Sequence, residues 1–240
     1  MNKKETSEMK IVLIHGQNHK GSSYHIGRMI ADTIRDKKEV KEFFLPRDLN
    51  HFCLGCYKCI EGDENCPFYN EKKIIMEAVE AADLLIFTTP TYCMHASAPM
   101  KSFIDLTYTY WMSHRPRKCM FSKKAVVVST AAGTGAKSAI KDVTTALFYC
   151  GVPYIKSYGL AVQAMNWDMV NAKKKEKIQK DTTRIAKKLS NGKKPFVGIK
   201  TRFMFKMMAG MQQMGCGSSP IEKEYWEKNG WLGKKRPWMD

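Results

Sequence analysis

The sequence lacks the features of a membrane-spanning or secreted protein. It has no uncharged apolar run of about 18 residues, the length a membrane-spanning helix needs. Its first ten residues contain no apolar segment of the kind found in secretory signals. We therefore expect a cytoplasmic protein, in which the eight cysteines are thiols or metal ligands rather than disulfides.

Two nucleotide-binding motifs are also missing. The loop after the apolar run at 11–14 contains neither GxGxxG nor GxxxxGK[ST]. The first pattern would bring a dinucleotide close to the backbone, and the second would enclose the phosphates of a nucleoside triphosphate. The sequence therefore gives no grounds for predicting a dinucleotide-binding fingerprint or a Walker loop.

Acidic residues are few, with 23 Asp and Glu against 40 Lys and Arg, and the formal charge is +17. Residues 171–194 carry a net charge of +8 and residues 195–240 a net charge of +4. Such a surface can bind nucleic acid, but no base-reading motif accompanies it. In 171–194 the basic residues surround the amphipathic positions Ile178, Ile185 and Leu189. We interpret them as a solvated helix face and expect no nucleic-acid partner.

Apolar runs alternate with helical patterns over the first 190 residues. Strands are predicted at 11–14, 40–45, 84–87, 125–128 and 152–158. Helical spacing follows each of them, at 22–34, 74–82, 99–110, 140–148 and 170–190. Five β–α units with short connections predict an α/β fold: a doubly wound, five-stranded parallel sheet with helices on both faces.

Three loops rich in small, hydroxyl or aromatic residues follow the first, third and fourth strands, at 15–22, 88–97 and 129–135. Ligands of such sheets bind past the carboxyl ends of the strands. We expect Ser22 and Ser23 to cap the helix after the first loop, where unpaired N–H groups suit a phosphate. The alternative is an ordinary tight connection. The three loops together predict one ligand crevice.

Four cysteines lie close together in the sequence, at positions 53, 56, 59 and 66, and Pro67 follows the last. This compact spacing is compatible with the ligands of a [4Fe–4S] cluster. Zinc sites normally show two separated pairs. Free thiols that pack a loop or an interface are the third interpretation. The remaining cysteines are scattered, and we expect them to be buried thiols: Cys93, Cys119, Cys150 and Cys216.

The chain divides at about residue 192. Residues 9–192 contain the β–α units, and residues 193–240 form a basic extension rich in Met and Trp. Apolar residues recur there at intervals of three and four, at 197, 199, 203, 204, 207, 208, 211 and 214, and a short helix is predicted at 221–228. We predict a helical arm that packs on the body or on a partner subunit. A membrane-surface anchor is the alternative.

Four segments resemble the flavodoxin-like NAD(P)H-dependent FMN reductases, including their iron–sulfur flavoprotein branch. Residues 16–23 are similar to the G-S-x-R-x-x-G-N-T phosphate loop of that family, and 89–92 to its S/T-P-x-Y loop. Residues 53–59 with Cys66 are similar to its C-x-G-C-x-x-C…C segment, and 100–105 to its L-K-x-F-I-D helix start. Two features depart from the family: Gln17 and His19 replace Ser and Arg, and the acidic pair after the last cysteine is absent.

The resemblance implies an FMN cofactor and its contacts. The phosphate would lie on Gln17, His19, Ser22 and Ser23. The ring would be edged by six consecutive residues, Pro90, Thr91, Tyr92, Cys93, Met94 and His95. Its far side would be closed by Ser129, Thr130, Ala132 and Gly133. Since the flavin carries the electron chemistry, no catalytic side chain is expected.

The function implied by the resemblance is that of an FMN-dependent NAD(P)H oxidoreductase. It would be a homodimer and would pass electrons to a small acceptor such as a quinone, a nitro compound or free flavin. One alternative is an iron–sulfur flavoprotein electron carrier with a [4Fe–4S] cluster on Cys53, Cys56, Cys59 and Cys66. A second alternative is a basic protein that binds nucleic acid or a membrane surface without a flavin.

Overall fold

The computed structural model describes residues 8–34, 38–216 and 219–239. Within them, five strands form a parallel sheet: β1 Met9–His15, β2 Lys38–Phe44, β3 Leu84–Tyr92, β5 Lys124–Ala131 and β6 Tyr154–Ala161. Their order is β2–β1–β3–β5–β6. A short strand, β4 at His95–Ala96, pairs antiparallel with the end of β3 and was not predicted. The predicted five-stranded parallel sheet is confirmed, although the strand bounds differ by up to five residues.

Seven α-helices are seen in the described part of the chain: α1 Ser22–Thr33, α2 Tyr69–Ala81, α3 Ala98–Leu106, α4 Ala136–Tyr149, α5 Ala172–Leu189, α6 Ile199–Met214 and α7 Pro220–Lys228. The predicted cap of α1 is wrong. Gly21 occupies the N-cap, and Ser22 and Ser23 are the first two helical residues. The third predicted helix is also too long, because α3 ends at Leu106 and Tyr110 lies in a separate 3-10 turn.

Alternate residues of the central strands face opposite sides of the sheet. In β3, Leu84 and Ile86 pack with α1 and α5, whereas Leu85 and Phe87 pack with α2, α3 and α4. Helices therefore cover both faces of β1, β3 and β5. This double burial explains why the central strands appear in the sequence as unbroken apolar runs.

The strand order reverses between β1 and β3. The chain runs from β1 through α1 to the edge strand β2, and then through α2, on the other face, to β3. The loops that leave the carboxyl ends of β1 and β3 thus lead to helices on opposite faces, and doubly wound sheets bind their ligands in a crevice at such a point. The first two predicted ligand loops lie at this position.

α6 and α7 form the predicted helical arm. Phe205, Trp226 and Trp231 of the arm pack with Met112 and Phe121 of the body. Phe121 lies just before β5, so the arm contacts the body beside the amino end of that strand and not at the crevice. The division into 9–192 and 193–240 remains a prediction, and residues 35–37, 217, 218 and 240 of these ranges lie outside the described residues.

The basic residues of α5 lie on its solvent side. Lys177 lies 3.2 Å from Asp181, and Lys180 lies 2.6 Å from Glu176. The opposite side of the helix buries Ile178 against α1. This arrangement is that of a solvated helix face. Among the described helices, none has the length and hydropathy that crossing a bilayer requires.

Candidate active site

The first loop is held against β3 through Gly16. The Gly16 N–H donates to the carbonyl oxygen of Thr88 at 2.7 Å. The Gly16 carbonyl oxygen accepts a hydrogen bond from Ser97 Oγ at 2.6 Å. A Cβ at this position would lie 2.5 Å from Ser97 Oγ, so the close approach requires glycine. The loops after β1 and β3 are therefore fastened together.

Gln17 lies beside the start of α1 and is 4% exposed. Its Nε2 donates to Ser23 Oγ at 3.2 Å, whereas its Oε1 is buried and has no hydrogen-bond partner among the described residues. Turning the amide by half a turn would place an NH₂ donor at that unpaired position, with Ser23 Oγ donating to Oε1. The buried amide therefore has hydrogen-bonding capacity left over for a ligand.

No side chain in the described part of the sequence caps the N-terminus of α1. The N–H groups of a first helical turn have no partner within the helix, and the helix dipole makes this end positive. Ser22 and Ser23 are buried at this end, whereas His19 is exposed. The first loop thus combines the donors that an anionic group requires.

The second loop is a tight hairpin between β3 and β4. Cys93 and Met94 occupy its two central positions with φ values of 47° and 69°. Left-handed conformations at both positions are typical of a type I′ turn, which normally contains Asn and Gly. Non-glycine residues held in this region cost on the order of 1–3 kcal/mol each and cluster at functional sites. The hairpin is therefore a strained segment at the mouth of the crevice.

The third loop contacts this hairpin at two points. Thr91 Oγ1 and Ser129 Oγ are hydrogen-bonded at 3.0 Å. Gly135 has a φ of 96°, and a Cβ on it would lie 2.8 Å from Thr91 Cγ2 and 3.1 Å from Met94 Cα. Ser129 and Thr130 are buried, whereas Ala132 and Gly133 are exposed. The three predicted loops are therefore brought together at the carboxyl edge of the sheet.

Among the described residues, the side chain of His95 hydrogen-bonds to α4 and not to the other two loops. Its Nδ1 lies 3.1 Å from Asp142 Oδ2 on α4, and the same oxygen accepts a hydrogen bond from the N–H of Ala96 at 3.0 Å. The ring is thus drawn toward α4. The side chains of Tyr92 and Met94 are half exposed, at 50% and 48%.

Sequence reasoning missed His15 and Ser97 as residues that organise the site. His15, at the end of β1, hydrogen-bonds through Nδ1 to Thr88 Oγ1 at 2.8 Å, and its buried Nε2 has no described partner. Ser97 Oγ accepts a hydrogen bond from Thr89 Oγ1 at 3.2 Å and donates one to the carbonyl oxygen of Gly16. Position 97 was predicted only as the end of the second loop, and the fold shows that Ser97 joins the first two loops.

The pKa of His15 predicts an acid sensitivity of the fold. Burial, with a smaller contribution from Arg28, lowers the pKa of His15 to about 4. Below pH 6.5 the unfolded chain therefore binds a proton that the folded chain excludes, and stability falls as the pH falls toward 4. Between pH 7 and pH 5 this loss is about 2 kcal/mol. His15→Gln should remove that part of the pH dependence, measured by urea unfolding at both pH values. An unchanged difference between pH 7 and pH 5 in the variant would contradict the prediction.

The four cysteines of the predicted cluster line a single cavity of about 390 Å³, together with Tyr108 and Trp111. Cys53 and Cys56 are exposed, whereas Cys59 and Cys66 are buried. Across the residues that the structure describes, no three His, Cys, Asp or Glu side chains are grouped closely enough to hold a metal ion. The cavity thus brings the four residues to one place without the geometry of a ligand set.

The segment after Cys59 is anchored by Arg115. Its guanidinium donates to the carbonyl oxygens of Cys59 and Ile60, at 2.5 and 2.6 Å, and to Asp63 Oδ1 at 3.0 Å. Burial raises the pKa of Asp63, but Arg117 and Arg115 outweigh it and the pKa is lowered overall. The buried half of the cysteine loop is therefore held by a charged contact, whereas Cys53 lies in its exposed half.

The expectation for the scattered cysteines is correct for Cys150, which is buried. It is wrong for Cys93 and Cys216, which are exposed, and Cys119 is half-buried. Cys93 is exposed because it occupies the tip of the β3–β4 hairpin, and Cys216 because it follows the end of α6.

Comparison with known proteins identifies a matching family and a curated relative. The family described as NADPH-dependent FMN reductase matches residues 9–166. An iron–sulfur flavoprotein of Archaeoglobus fulgidus is 27% identical over 133 residues, which are 55% of this chain and 64% of that protein. The chain thus spans less than two thirds of the length of this curated relative.

Two solved structures share the fold. The NAD(P)H:quinone oxidoreductase from Methanothermobacter marburgensis has a TM-score of 0.59 and 18% identity, covering 78% of this chain and 100% of that chain. An FMN-dependent NADH-azoreductase from Bacillus anthracis, in complex with FMN, has a TM-score of 0.56 and 10% identity, covering 77% of this chain and 100% of that chain. At these identities the likeness establishes a common architecture.

Proposed function

The chain belongs to the NADPH-dependent FMN reductase family, and from this membership we propose that it is a flavoenzyme that binds FMN in the crevice and takes electrons from NAD(P)H. The observation that carries the proposal is the joining of three loops at the switch point of the sheet. Gly16 is fastened to Thr88, and the hairpin is fastened to the third loop through Thr91 and Ser129. Nucleotide cofactors of doubly wound folds bind at this position.

The first loop fits the phosphate of FMN. Among the described residues, the buried amide oxygen of Gln17 has no hydrogen-bond partner and no side chain caps the start of α1. We assign the phosphate to Gln17, Ser22, Ser23 and the exposed His19. These groups would bind and orient the phosphate through side-chain donors and the positive end of the helix dipole.

The second and third loops fit the ring. The left-handed turn at Cys93 and Met94 lies next to the half-exposed Tyr92 at the end of β3. We assign the ring edge to residues 90–95 and its far side to Ser129, Thr130, Ala132 and Gly133, with the His95 ring directed toward α4. Bound FMN would supply the hydride and electron transfer chemistry.

The protein is proposed to act as a homodimer. Its electron acceptor is proposed to be a small molecule such as a quinone, a nitro compound or free flavin. The exposure of Tyr92 and Met94 supports a small acceptor, because their side chains present apolar surface beside the proposed ring site. Such surface suits a flat aromatic molecule.

The proposal is tested by an absorption spectrum of the purified protein before and after FMN addition. We expect flavin bands that bleach when NADH or NADPH is added without oxygen, and that return when a quinone is added. Failure to take up FMN would overturn the proposal. Uptake of FMN without bleaching by either nicotinamide would overturn its reductase part and favour an electron carrier.

A second candidate is the iron–sulfur flavoprotein electron carrier, with a cluster on Cys53, Cys56, Cys59 and Cys66. It is supported by the single cavity of about 390 Å³ that all four cysteines line. Cys53 and Cys56 are exposed, so the outer half of the loop could close over a cluster without disturbing the core. Cysteine thiolates are the usual ligands of such clusters.

The candidate is tested by iron and sulfide content after purification without oxygen. A cluster predicts about four irons per chain and a broad visible shoulder. Cys53→Ser should lower the iron content, whereas Cys216→Ser, at a cysteine that is also exposed but lies outside the loop, should leave it unchanged. Flavin with negligible iron in the wild-type protein would reject this candidate and leave the reductase proposal intact.

A further inference from the structure

One face of α6 is apolar and exposed. We call it the α6 stripe, formed by Ile199, Phe203, Met207, Met211 and Met214. These side chains are 82%, 67%, 42%, 37% and 72% exposed. The sequence predicted one apolar face, but α6 has two, since Phe205, Met208 and Ala209 are buried on the opposite side. The α6 stripe therefore stays exposed when the opposite side of the helix packs.

Basic residues border the α6 stripe. Lys200 and Lys206 lie about 60° to either side of Phe203 around the helix. Within the described residues, neither ammonium group forms a hydrogen bond or an ion pair. Between Asp181 and Glu222 the sequence contains eight basic residues and no Asp or Glu. An apolar strip with free cations along its edges thus lies in a stretch of sequence that contains no acidic residue.

A second copy of this chain is a poor occupant for the stripe. Two copies would bring the same unpaired lysines toward each other, which opposes pairing. α6 has 16 residues, so its exposed face is about 24 Å long and roughly 10 Å wide. That is about 240 Å² per copy, well below the roughly 800 Å² per partner of a stable interface.

We propose that the α6 stripe docks on the surface of an anionic lipid bilayer. The helix would lie in the plane of the interface, with Phe203 and the methionines among the acyl chains. Lys200 and Lys206 would reach outward along the helix flanks to the lipid phosphates, as long basic side chains do at such boundaries. The charge of the region matches an anionic surface and no other feature of the described chain covers the stripe.

The opposite face of α6 packs on the rest of the protein and links the stripe to it. Phe205 packs against Phe121 and Trp226, with ring centroids 5.6 and 4.8 Å apart. Gln212 Nε2 donates to the carbonyl oxygen of Ser113 at 2.9 Å. A membrane-bound α6 would therefore hold the body at the bilayer. This inference does not depend on the proposed flavin chemistry.

The test is flotation of the full-length protein with vesicles of phosphatidylcholine, alone or mixed with phosphatidylglycerol. We expect binding to the mixed vesicles that weakens as salt is raised, and little binding to phosphatidylcholine alone. Lys200→Gln and Lys206→Gln should each weaken binding about fivefold. Phe203→Gln combined with Met214→Gln should weaken it tenfold or more, because two apolar side chains no longer enter the interface.

The control is Met165→Gln combined with Met169→Gln, which changes two methionines that are 89% and 65% exposed outside the arm. It should bind vesicles as the wild type does. All substituted side chains are exposed, so the fold is retained, and circular dichroism checks this. No binding to anionic vesicles, or equal binding by the stripe variant, would overturn the proposal. So would a wild-type dimer that the stripe variant converts to a monomer, because the stripe would then belong to a second copy.

Discussion

Gly135→Ala is expected to weaken FMN binding about 10- to 100-fold. Gly135 has a φ of 96°, which an alanine adopts only with strain. The new Cβ would lie 2.8 Å from Thr91 Cγ2 and 3.1 Å from the backbone of Met94. The hairpin and the third loop must therefore separate. A loss of about 1.4–2.8 kcal/mol from this separation corresponds to the expected change, measured by fluorescence titration of the apoprotein with FMN.

A second substitution distinguishes a crowded contact from simple unfolding. Thr91→Ser removes Cγ2 but keeps the hydroxyl that pairs with Ser129. Gly135→Ala should therefore weaken FMN binding less in a protein that already carries Thr91→Ser than it does in the wild-type protein. Gly210→Ala is the matched control, because a Cβ there would meet nothing within 4 Å. Unchanged FMN affinity in Gly135→Ala would show that the contact of the two loops does not shape the cofactor site.

Trp226→Ala is expected to lower the free energy of unfolding by about 3–5 kcal/mol. Trp226 is fully buried, its ring centroid lies 4.8 Å from that of Phe205, and its Nε1 donates to the carbonyl oxygen of His114 at 2.6 Å. The substitution leaves a large cavity and an unpaired carbonyl. For a chain of this size the melting temperature should fall by roughly 6–20 °C, measured by calorimetry.

Phe203→Ala is the control for this prediction, since it removes an aromatic ring from the same arm at a position that is 67% exposed. Its melting temperature should stay close to that of the wild type. If the two variants melt alike, the arm contributes little to the stability of the body.

A buried charged group also joins the arm to the cysteine loop. Glu222 on α7 is 1% exposed, and its Oε1 lies 2.8 Å from His114 Nδ1 and 3.8 Å from Arg115. Arg115 in turn holds the carbonyl oxygen of Cys59. Removing one partner from such a group leaves an unpaired buried charge, which is costly. The arm is thus part of what positions the buried half of the cysteine loop.

Much of the fold could be predicted from local pattern. The runs at 84–87 and 125–128 are apolar at every position because both of their faces are buried. Such a run is visible in the sequence without knowledge of the tertiary structure. Boundaries were less predictable. β3 continues through Thr88–Tyr92, where polar residues are held by pairing with β5 and β4, and no local preference marks that extension.

The candidate site was predicted as three loops, and the structure decided how they meet. Position 97 was predicted only as the end of the second loop, but Ser97 bonds to Gly16, which is 81 positions earlier in the chain. His95 lies in the predicted ring edge, yet Asp142 draws its ring to α4. Such contacts depend on how distant segments are folded together, so sequence spacing could not identify them.

The sequence by itself determined the alternating α/β architecture, the order of the three loops and the basic character of the arm, because hydrophobic period and charge are local properties. Only the tertiary structure decided which apolar residues of α6 are buried. Phe205 and Phe203 are equally apolar and two positions apart, yet one lies in the arm's core and the other in solvent. The difference arises because Phe121, Trp226 and Trp231, from distant parts of the chain, cover one face of the helix and leave the other open.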